Sequence, residues 1–209
     1  LPLLTGGAKD LPARQQTLRD TLAWSYDLLT EAEQRLFRRL SLFSGGCALE
    51  AAEAVCNPDR DRGIEILDGL ASLVDNSLVR QQEDVDGEPR FSMFEMTREF
   101  GQECLQASGE TESLRQQHAR YFLALAEAAE PELHGPEQLR WLDRLEREHD
   151  NFRSALGWCE ETVDSGQWAV GSPAKTGEKT ELSMSELPTA HYPLPTAAET
   201  GLRLAGALW

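Results

Sequence analysis

The sequence predicts a mainly α-helical protein: a winged helix, meaning a helical bundle with a small β-hairpin, followed by an α-helical hairpin that begins a repeat domain. Two observations carry this prediction. Apolar residues recur at helical spacing in four successive segments between residues 17 and 76. Strand-like runs then follow at 78–80 and 91–93, separated by a polar stretch with the turn signal Asp86-Gly87. Helices, a hairpin and a further helix are the order of a winged helix, which we place at residues 17–108.

The connection between the first two helices is a specific local signal. Tyr26 and Asp27 end the first amphipathic helix. Thr30 and Glu33 begin the second one with the spacing of a capping box, in which a hydroxyl and a carboxylate satisfy free backbone N–H groups. So tight a connection favours a helical signalling module over a catalytic domain.

Three more helices complete the predicted winged helix. The second helix is expected to end at Gly45-Gly46, a short third covers 49–55, and a fourth covers 63–76 with clean three-to-four spacing. A fifth helix follows the hairpin. Its inner face is predicted to carry Thr97, Phe100, Gly101, Cys104 and Leu105.

The segments outside the winged helix have different compositions. Residues 1–16 contain glycine and proline and are interpreted as a linker from a preceding module. Apolar stripes over 109–163 predict two long antiparallel helices that enter a helical-repeat domain. Residues 164–196 lack any apolar period and are predicted to be a disordered insertion, after which 197–209 continue the repeat domain.

The charge balance bears on possible partners. The chain has 36 acidic and 20 basic residues and a formal net charge of −16, whereas phosphate binding depends on clustered Lys and Arg. The helix over 63–76, which would read DNA in a winged helix, carries Glu65, Asp68 and Asp75. Direct DNA contact is therefore not expected here, and Arg38-Arg39 is interpreted as a solvated surface pair. No long apolar run indicates a membrane partner, so a cytoplasmic protein is expected.

These segments together resemble a known family. The runs at 11–18, 25–37 and 73–79 resemble the winged helix that follows the ATPase core of STAND-type signalling NTPases, which include NB-ARC proteins and bacterial LuxR-like or antibiotic-pathway regulators. The run at 141–151 resembles the junction with the TPR-like repeats of that family. The resemblance implies a missing core that binds ATP or ADP with Mg²⁺, an intramolecular role between that core and the repeats, and an unknown ligand or protein sensed by the repeats.

The resemblance also suggests site residues. Met93, Phe94 and Glu95 lie where NB-ARC proteins carry a Met-His-Asp motif, whose histidine approaches the ADP phosphates. Phenylalanine cannot donate a hydrogen bond to phosphate, so Phe94 is expected to act through packing, or to be a plain buried core residue beside Phe91. The residues expected to pack between domains are Trp24, Tyr26, Asp27 and Arg98.

No catalytic or metal site is expected in this chain. The run at 171–180 resembles a phosphate loop only superficially, because Glu178 separates Gly177 from Lys179. His118 and His149 fall on apolar helix faces, where a core or capping histidine is the favoured interpretation. The sequence thus predicts a non-catalytic regulatory fragment that couples the nucleotide state of an ATPase core to a repeat sensor, with a DNA-binding winged-helix transcription factor domain as the alternative.

Overall fold

The computed structural model describes residues 13–57, 65–83, 87–164 and 203–204, and it is mainly helical. Three short strands lie within the winged helix, and the helices that follow pack onto it. The described helices are α1 (Ala13–Asp27), α2 (Glu31–Leu40), α3 (Leu49–Cys56), α4 (Ile66–Asp75), α5 (Glu95–Ser108), α6 (Thr111–Ala129), α7 (Gln138–Arg147) and α8 (His149–Asp164), with a 3-10 helix at Glu130–His134 between α6 and α7.

Helix α2 begins as its sequence predicts. The Thr30 hydroxyl accepts from the Glu33 backbone N–H at 3.3 Å, and the Glu33 carboxylate accepts from the Thr30 backbone N–H at 2.8 Å. The Ser72 hydroxyl of α4 also donates to that carboxylate, and these hydrogen bonds lower the pKa of Glu33. The predicted capping box is therefore confirmed, and it also ties α2 to α4.

The sheet is antiparallel, with the order β1-β3-β2. The hairpin of β2 (Arg80–Glu83) and β3 (Pro89–Ser92) matches the predicted wing to within a few residues. Strand β1 (Cys47–Ala48) was not predicted, because two residues carry no readable period. It pairs with β3 just after Gly46, whose φ is +88° and where a Cβ would lie 2.5 Å from the Phe91 carbonyl oxygen. Only glycine permits this close approach of the two backbones.

One contiguous apolar core runs through the described residues, from Leu22 of α1 to Leu204. Helix α6 packs against α3 and α8, so the winged helix and the following helices share that core. Leu204, at the far end of this core in the described chain, is fully buried. Part of the core is aromatic: the Phe122 ring contacts the rings of Phe43 and Phe152.

Two expectations about the helices after the winged helix are corrected. The stripe from 139 to 163 is not one helix, because α7 ends at Arg147 and α8 begins at His149. Glu148 between them turns inward and is 6% exposed. His149 is exposed rather than on an apolar face.

The predicted disordered insertion lies outside the described residues except at Asp164. Residues 1–12 of the predicted linker also lie outside them, and α1 begins at Ala13. Among the described helices, none has the length and apolar character that crossing a bilayer requires.

Candidate regulatory interface

Strand β3 leads to two different environments. In its first half, Arg90 extends toward the turn between α7 and α8. We call this contact region the seam. It consists of Arg90, Glu148, Asn151 and the loop at 44–46. The second half of β3 runs through Ser92 and Met93 to Phe94, the N-cap residue of α5. Phe91 between them is 4% exposed and anchors the strand in the core.

The Arg90 guanidinium holds the seam together. Its Nη1 donates to Glu148 Oε1 at 2.5 Å, and its Nη2 donates to the carbonyl oxygens of Gly46 and Arg147, each at 3.1 Å. Its Nε donates to the Gly45 carbonyl at 3.3 Å. Both side chains of the ion pair are at least four-fifths buried. Burying a pair of charges is favourable only when such additional hydrogen bonds accompany it.

Asn151 completes the seam and has no exposed surface. Its Nδ2 donates to the Gly46 carbonyl at 3.0 Å and to Glu148 Oε2 at 2.6 Å. Its Oδ1 accepts from the Ser44 backbone N–H at 2.8 Å. Helix α8 is therefore fastened to the loop of the winged helix through one amide that uses both its donor and its acceptor side.

His118 of α6 lies beside the seam and is 2% exposed. Its ring contacts Phe122 at 4.6 Å and Phe43 at 5.3 Å between centroids. Burial lowers the pKa of His118 to about 4, although a hydrogen bond with Asn151 opposes that shift. The imidazole is therefore neutral at physiological pH, which agrees with its interpretation as a core histidine.

At the other end of β3, the predicted nucleotide-sensing position is on the surface. The Phe94 ring is 55% exposed, so the expectation that it packs in the core is wrong. The Arg80 guanidinium lies 4.2 Å above its centroid, as in a cation–π contact. Arg98 donates to both carboxylate oxygens of Glu95, and this lowers the pKa of Glu95. Met93 is partly buried against the core.

The residues predicted to pack between domains divide into two groups. Trp24 is 64% exposed and Asp27 is exposed at the end of α1, so both are available to another surface. Tyr26 instead belongs to the core, with its ring centroid 5.4 Å from Phe37 and 5.7 Å from Phe100. Burial raises its pKa. The Tyr26 prediction therefore identified a packing residue inside the winged helix.

Every described arginine between residues 17 and 108 has a partner within the chain, and this segment has no lysine. Six of them form ion pairs and Arg80 stacks on a ring. The pairs are Arg19–Glu103, Arg35–Glu31, Arg38–Glu110, Arg39–Glu110, Arg90–Glu148 and Arg98–Glu95. Within the described winged helix, the positive charge is thus already matched by neighbouring groups.

The expectation that Arg38-Arg39 is a solvated surface pair is wrong. Both side chains are at least four-fifths buried and form ion pairs with Glu110. The Glu110 carboxylate lies 2.9 Å from Arg38 Nε and 2.7 Å from Arg39 Nη2. Arg39 Nη1 also donates to the Cys56 carbonyl at 2.6 Å. Burial raises the pKa of Glu110, but these hydrogen bonds outweigh it and the net pKa is lowered. The two arginines therefore fasten α2 to the turn between α5 and α6.

Sequence reasoning missed Arg90, Glu148, Asn151 and Glu110 as contact residues. The run at 141–151, which only its resemblance predicts to be a junction, contains Glu148 and Asn151. Two polar residues beside the apolar stripe were the available signal. Within the described residues, no group of three or more His, Cys, Asp or Glu side chains is placed to hold a metal ion.

Comparisons with known proteins agree with this fold. The family model described as a winged helix-turn-helix domain matches residues 29–106. These residues form a winged helix-turn-helix domain. No solved structure matches the chain.

The chain is also similar to mycobacterial proteins. It is 41% identical over 159 residues, 76% of this chain, to the protein of Mycobacterium tuberculosis (strain H37Rv) named "Putative HTH-type transcriptional regulator Rv0890c", and equally to its Mycobacterium bovis counterpart. The chain spans only 18% of the length of these relatives. It is 32% identical over 121 residues, 57% of this chain and 30% of the relative, to "Uncharacterized protein Rv0894" of M. tuberculosis.

Proposed function

We propose that this chain is the regulatory winged-helix segment of a transcriptional regulator and that it works through protein contacts. The observation that carries the proposal is the seam, where Arg90, Glu148 and Asn151 join the winged helix to the helices after it. A buried, fully hydrogen-bonded junction transmits a displacement of one part to the other better than a flexible linker does. The similarity to proteins named as transcriptional regulators supports the regulatory setting.

The surface of α4 argues against its use as a DNA-reading helix. Its exposed residues include Leu67, Asp68, Ala71 and Asp75, and α4 contains no lysine or arginine. Acidic side chains repel phosphates, and the free energy of DNA binding depends on cations that neutralise them. The arginines of the described winged helix are already engaged, so binding DNA would first require breaking internal ion pairs.

DNA binding by the winged helix is the second candidate. The family description and the names of the relatives favour it over the ATPase-coupled interpretation. Winged helices insert a helix into the major groove of DNA, and Arg80 on the wing is a cation placed near the surface. This candidate predicts binding to duplex DNA by the isolated chain.

Titration of a labelled duplex at low salt separates the two candidates. We expect no micromolar binding by the wild-type chain. The variant Asp68→Lys/Asp75→Lys is the matched control, because it places two cations on the same exposed face of α4 and should gain salt-dependent affinity. Micromolar binding by the wild-type chain that weakens steeply with salt would support the DNA-binding candidate and remove the protein-contact proposal.

Amide hydrogen exchange tests the protein contact directly. The surface around Trp24 and Phe94 should exchange more slowly in the full-length protein, without DNA, than in the 209-residue chain. Equal exchange rates at α1 and at the first turn of α5 in both proteins would contradict a protein-facing role. The buried residues of α3, which are Ala51, Ala52, Val55 and Cys56, serve as the internal reference.

The finer proposal is that the missing partner is a STAND-type ATPase core, which would bind ATP or ADP with Mg²⁺, while this chain itself is not an enzyme. It rests on the resemblance at Met93, Phe94 and Glu95, and the exposure of Phe94 makes this position accessible to a neighbouring domain. Phe94→His in the full-length protein would add a donor for phosphate and should tighten ADP binding by about 1.5–3 kcal/mol. An unchanged ADP affinity would remove the nucleotide-sensing role of this position.

A further inference from the structure

The outer face of α1 carries an apolar pair that no other described residue covers. Leu22 and Tyr26 define the inner face of this helix and pack into or against the core. Trp24, and Leu28 just after the last residue of α1, lie on the opposite side, and each is 64% exposed. Tryptophan is highly buried on average, and aromatic residues are enriched at protein–protein interfaces. This exposed pair is therefore a candidate contact surface.

Acidic side chains flank the apolar pair. Asp20 lies four residues before Trp24 and Asp27 lies three residues after it, and side chains at these spacings are neighbours on one helix face. Both aspartates are exposed, and neither forms an ion pair with another described residue. Arg19, the residue before Asp20, pairs with Glu103 of α5 instead. Among the described residues, this face is therefore apolar at its centre and negatively charged at its edges, without a compensating cation.

The shape of this surface suits a helix as its partner. Side chains on a helix form ridges, and the ridges of a second helix fit into the grooves beside them. A partner helix with apolar residues three or four positions apart would place them against Trp24 and Leu28. Basic residues beside that apolar stripe would then face Asp20 and Asp27, as charged residues do at the edges of paired helices. An arginine of the partner could also stack on the exposed Trp24 ring.

We propose that the outer face of α1, meaning Asp20, Trp24, Asp27 and Leu28, docks a basic amphipathic helix of a protein partner. This inference rests on the proposed function, which assigns the chain to protein contacts, and it adds the chemical character of the partner. A second copy of the chain fits this face poorly, because two acidic faces repel each other. Duplex DNA fits it poorly for the same reason, since its phosphates are negatively charged.

Binding of a defined peptide tests the proposal. The probe is a fluorescein-labelled synthetic helix with leucines at three-to-four spacing and arginines on both sides of that stripe. The comparison peptide carries glutamate in place of each arginine. Anisotropy titrations with the 209-residue chain use about 150 mM salt, which screens long-range attraction between exposed charges. We expect saturable micromolar binding of the basic peptide and roughly tenfold or weaker binding of the acidic one.

One pair of variants tests the apolar centre of the face. Trp24→Ala should weaken binding of the basic peptide by roughly tenfold or more, because buried tryptophans commonly dominate the energy of an interface. Leu67→Ala is the matched control. Leu67 is also exposed and is followed by an aspartate, but it lies on α4, so its removal should leave the affinity unchanged. Circular dichroism confirms that each variant is folded.

A second pair tests the acidic edges against the general acidity of the chain. Asp20→Asn/Asp27→Asn should weaken binding of the basic peptide by roughly fivefold. Asp68→Asn/Asp75→Asn removes the same charge from two exposed positions of α4 and should change the affinity by less than about twofold. The difference between the two double variants measures the local contribution of the α1 face.

Four results would overturn the assignment. Absence of saturable binding of the basic peptide up to about 1 mM would remove the helical partner. Equal weakening by the two double aspartate variants would show that net charge alone attracts the peptide. An unchanged affinity of Trp24→Ala would place the peptide elsewhere. A wild-type dimer in sedimentation that Trp24→Ala dissociates would make a second copy the occupant.

Failure of this inference can be told apart from failure of the proposed function. If amide exchange at α1 is slower in the full-length protein but the basic peptide does not bind, the protein contact stands and the basic helix is the wrong partner. If α1 exchanges equally fast in both proteins and the wild-type chain binds duplex DNA, the proposed function fails, whatever the peptide does.

Discussion

The two ends of β3 differ in how they use charge. At the seam, Arg90 and Glu148 are buried, and Arg90 also donates to the carbonyl oxygens of Gly46 and Arg147. At the junction with α5, Arg98 pairs with the exposed Glu95 and Arg80 stacks on the half-exposed Phe94. The same residue types form a structural joint in one place and a replaceable surface contact in the other.

The difference follows from desolvation. A buried charge that loses its partner keeps its desolvation penalty, whereas an exposed charge recovers water. The seam is therefore rigid and sensitive to single substitutions, and the junction is tolerant and free to contact another surface. This contrast implies large losses of stability for changes at the seam and small losses for changes at the junction.

Breaking the seam should be the most costly change. Arg90→Met leaves Glu148 buried without its cation, and we expect a loss of about 3–5 kcal/mol in the free energy of unfolding, measured with urea. The double variant Arg90→Met/Glu148→Leu should recover most of it, because no charge is then left buried. A single variant that costs less than about 1 kcal/mol would show that the pair is solvated and that the contrast between the two ends is wrong.

Acid should weaken the seam region through His118. Its folded-state pKa of about 4 lies below the usual 6.5, so the unfolded chain binds more protons between these values. The neutral, buried imidazole therefore makes its full contribution to the free energy of unfolding above pH 6.5. This contribution, up to about 3 kcal/mol, is lost as the pH falls toward 4. As the pH is lowered through this range, the unfolding free energy of the wild type should fall relative to that of His118→Phe. Parallel curves for the two proteins would contradict a buried, neutral imidazole.

Two helical glycines lie in different surroundings, one tightly packed and one beside open space, so an added Cβ should have opposite effects on stability. A Cβ at Gly101 of α5 would lie 2.7 Å from the Ser41 Cβ, so Gly101→Ala should cost about 1–3 kcal/mol. Gly157→Ala on α8 meets open space and should stabilise by up to about 1 kcal/mol. Thermal unfolding midpoints should therefore shift in opposite directions, and shifts of the same sign would contradict one of the two environments.

The smallest effect is expected at the junction. Phe94→Ala removes a half-exposed ring and one cation–π contact, which should cost about 1 kcal/mol or less. Phe91→Ala, three residues earlier in the core, should cost about 3–5 kcal/mol. Urea unfolding of the two variants measures the contrast, and comparable losses would mean that Phe94 is a core residue after all.

Much of the winged helix could be predicted because its signals are local. The capping box at Thr30 and Glu33, the helical stripe of α4 and the turn between β2 and β3 all depend on residues within a few positions of each other. Strand β1 could not be predicted, since its pairing depends on Gly46 meeting β3 about 45 residues later. The break between α7 and α8 could not be predicted because the buried Glu148 pairs with Arg90, which lies 58 residues earlier in the chain.

The sequence by itself determined the order of helices and hairpin, the acidic surface of α4 and the place of His118 on an apolar helix face. Periodicity and charge pattern are properties of neighbouring residues, so they can be recognised in the sequence without knowledge of the fold. Only the tertiary structure decided that Phe94 faces outward, that Arg38 and Arg39 grip Glu110, and that an arginine on β3 joins the winged helix to α8. Burial and ion pairing depend on which distant segments meet, and no local pattern records that meeting.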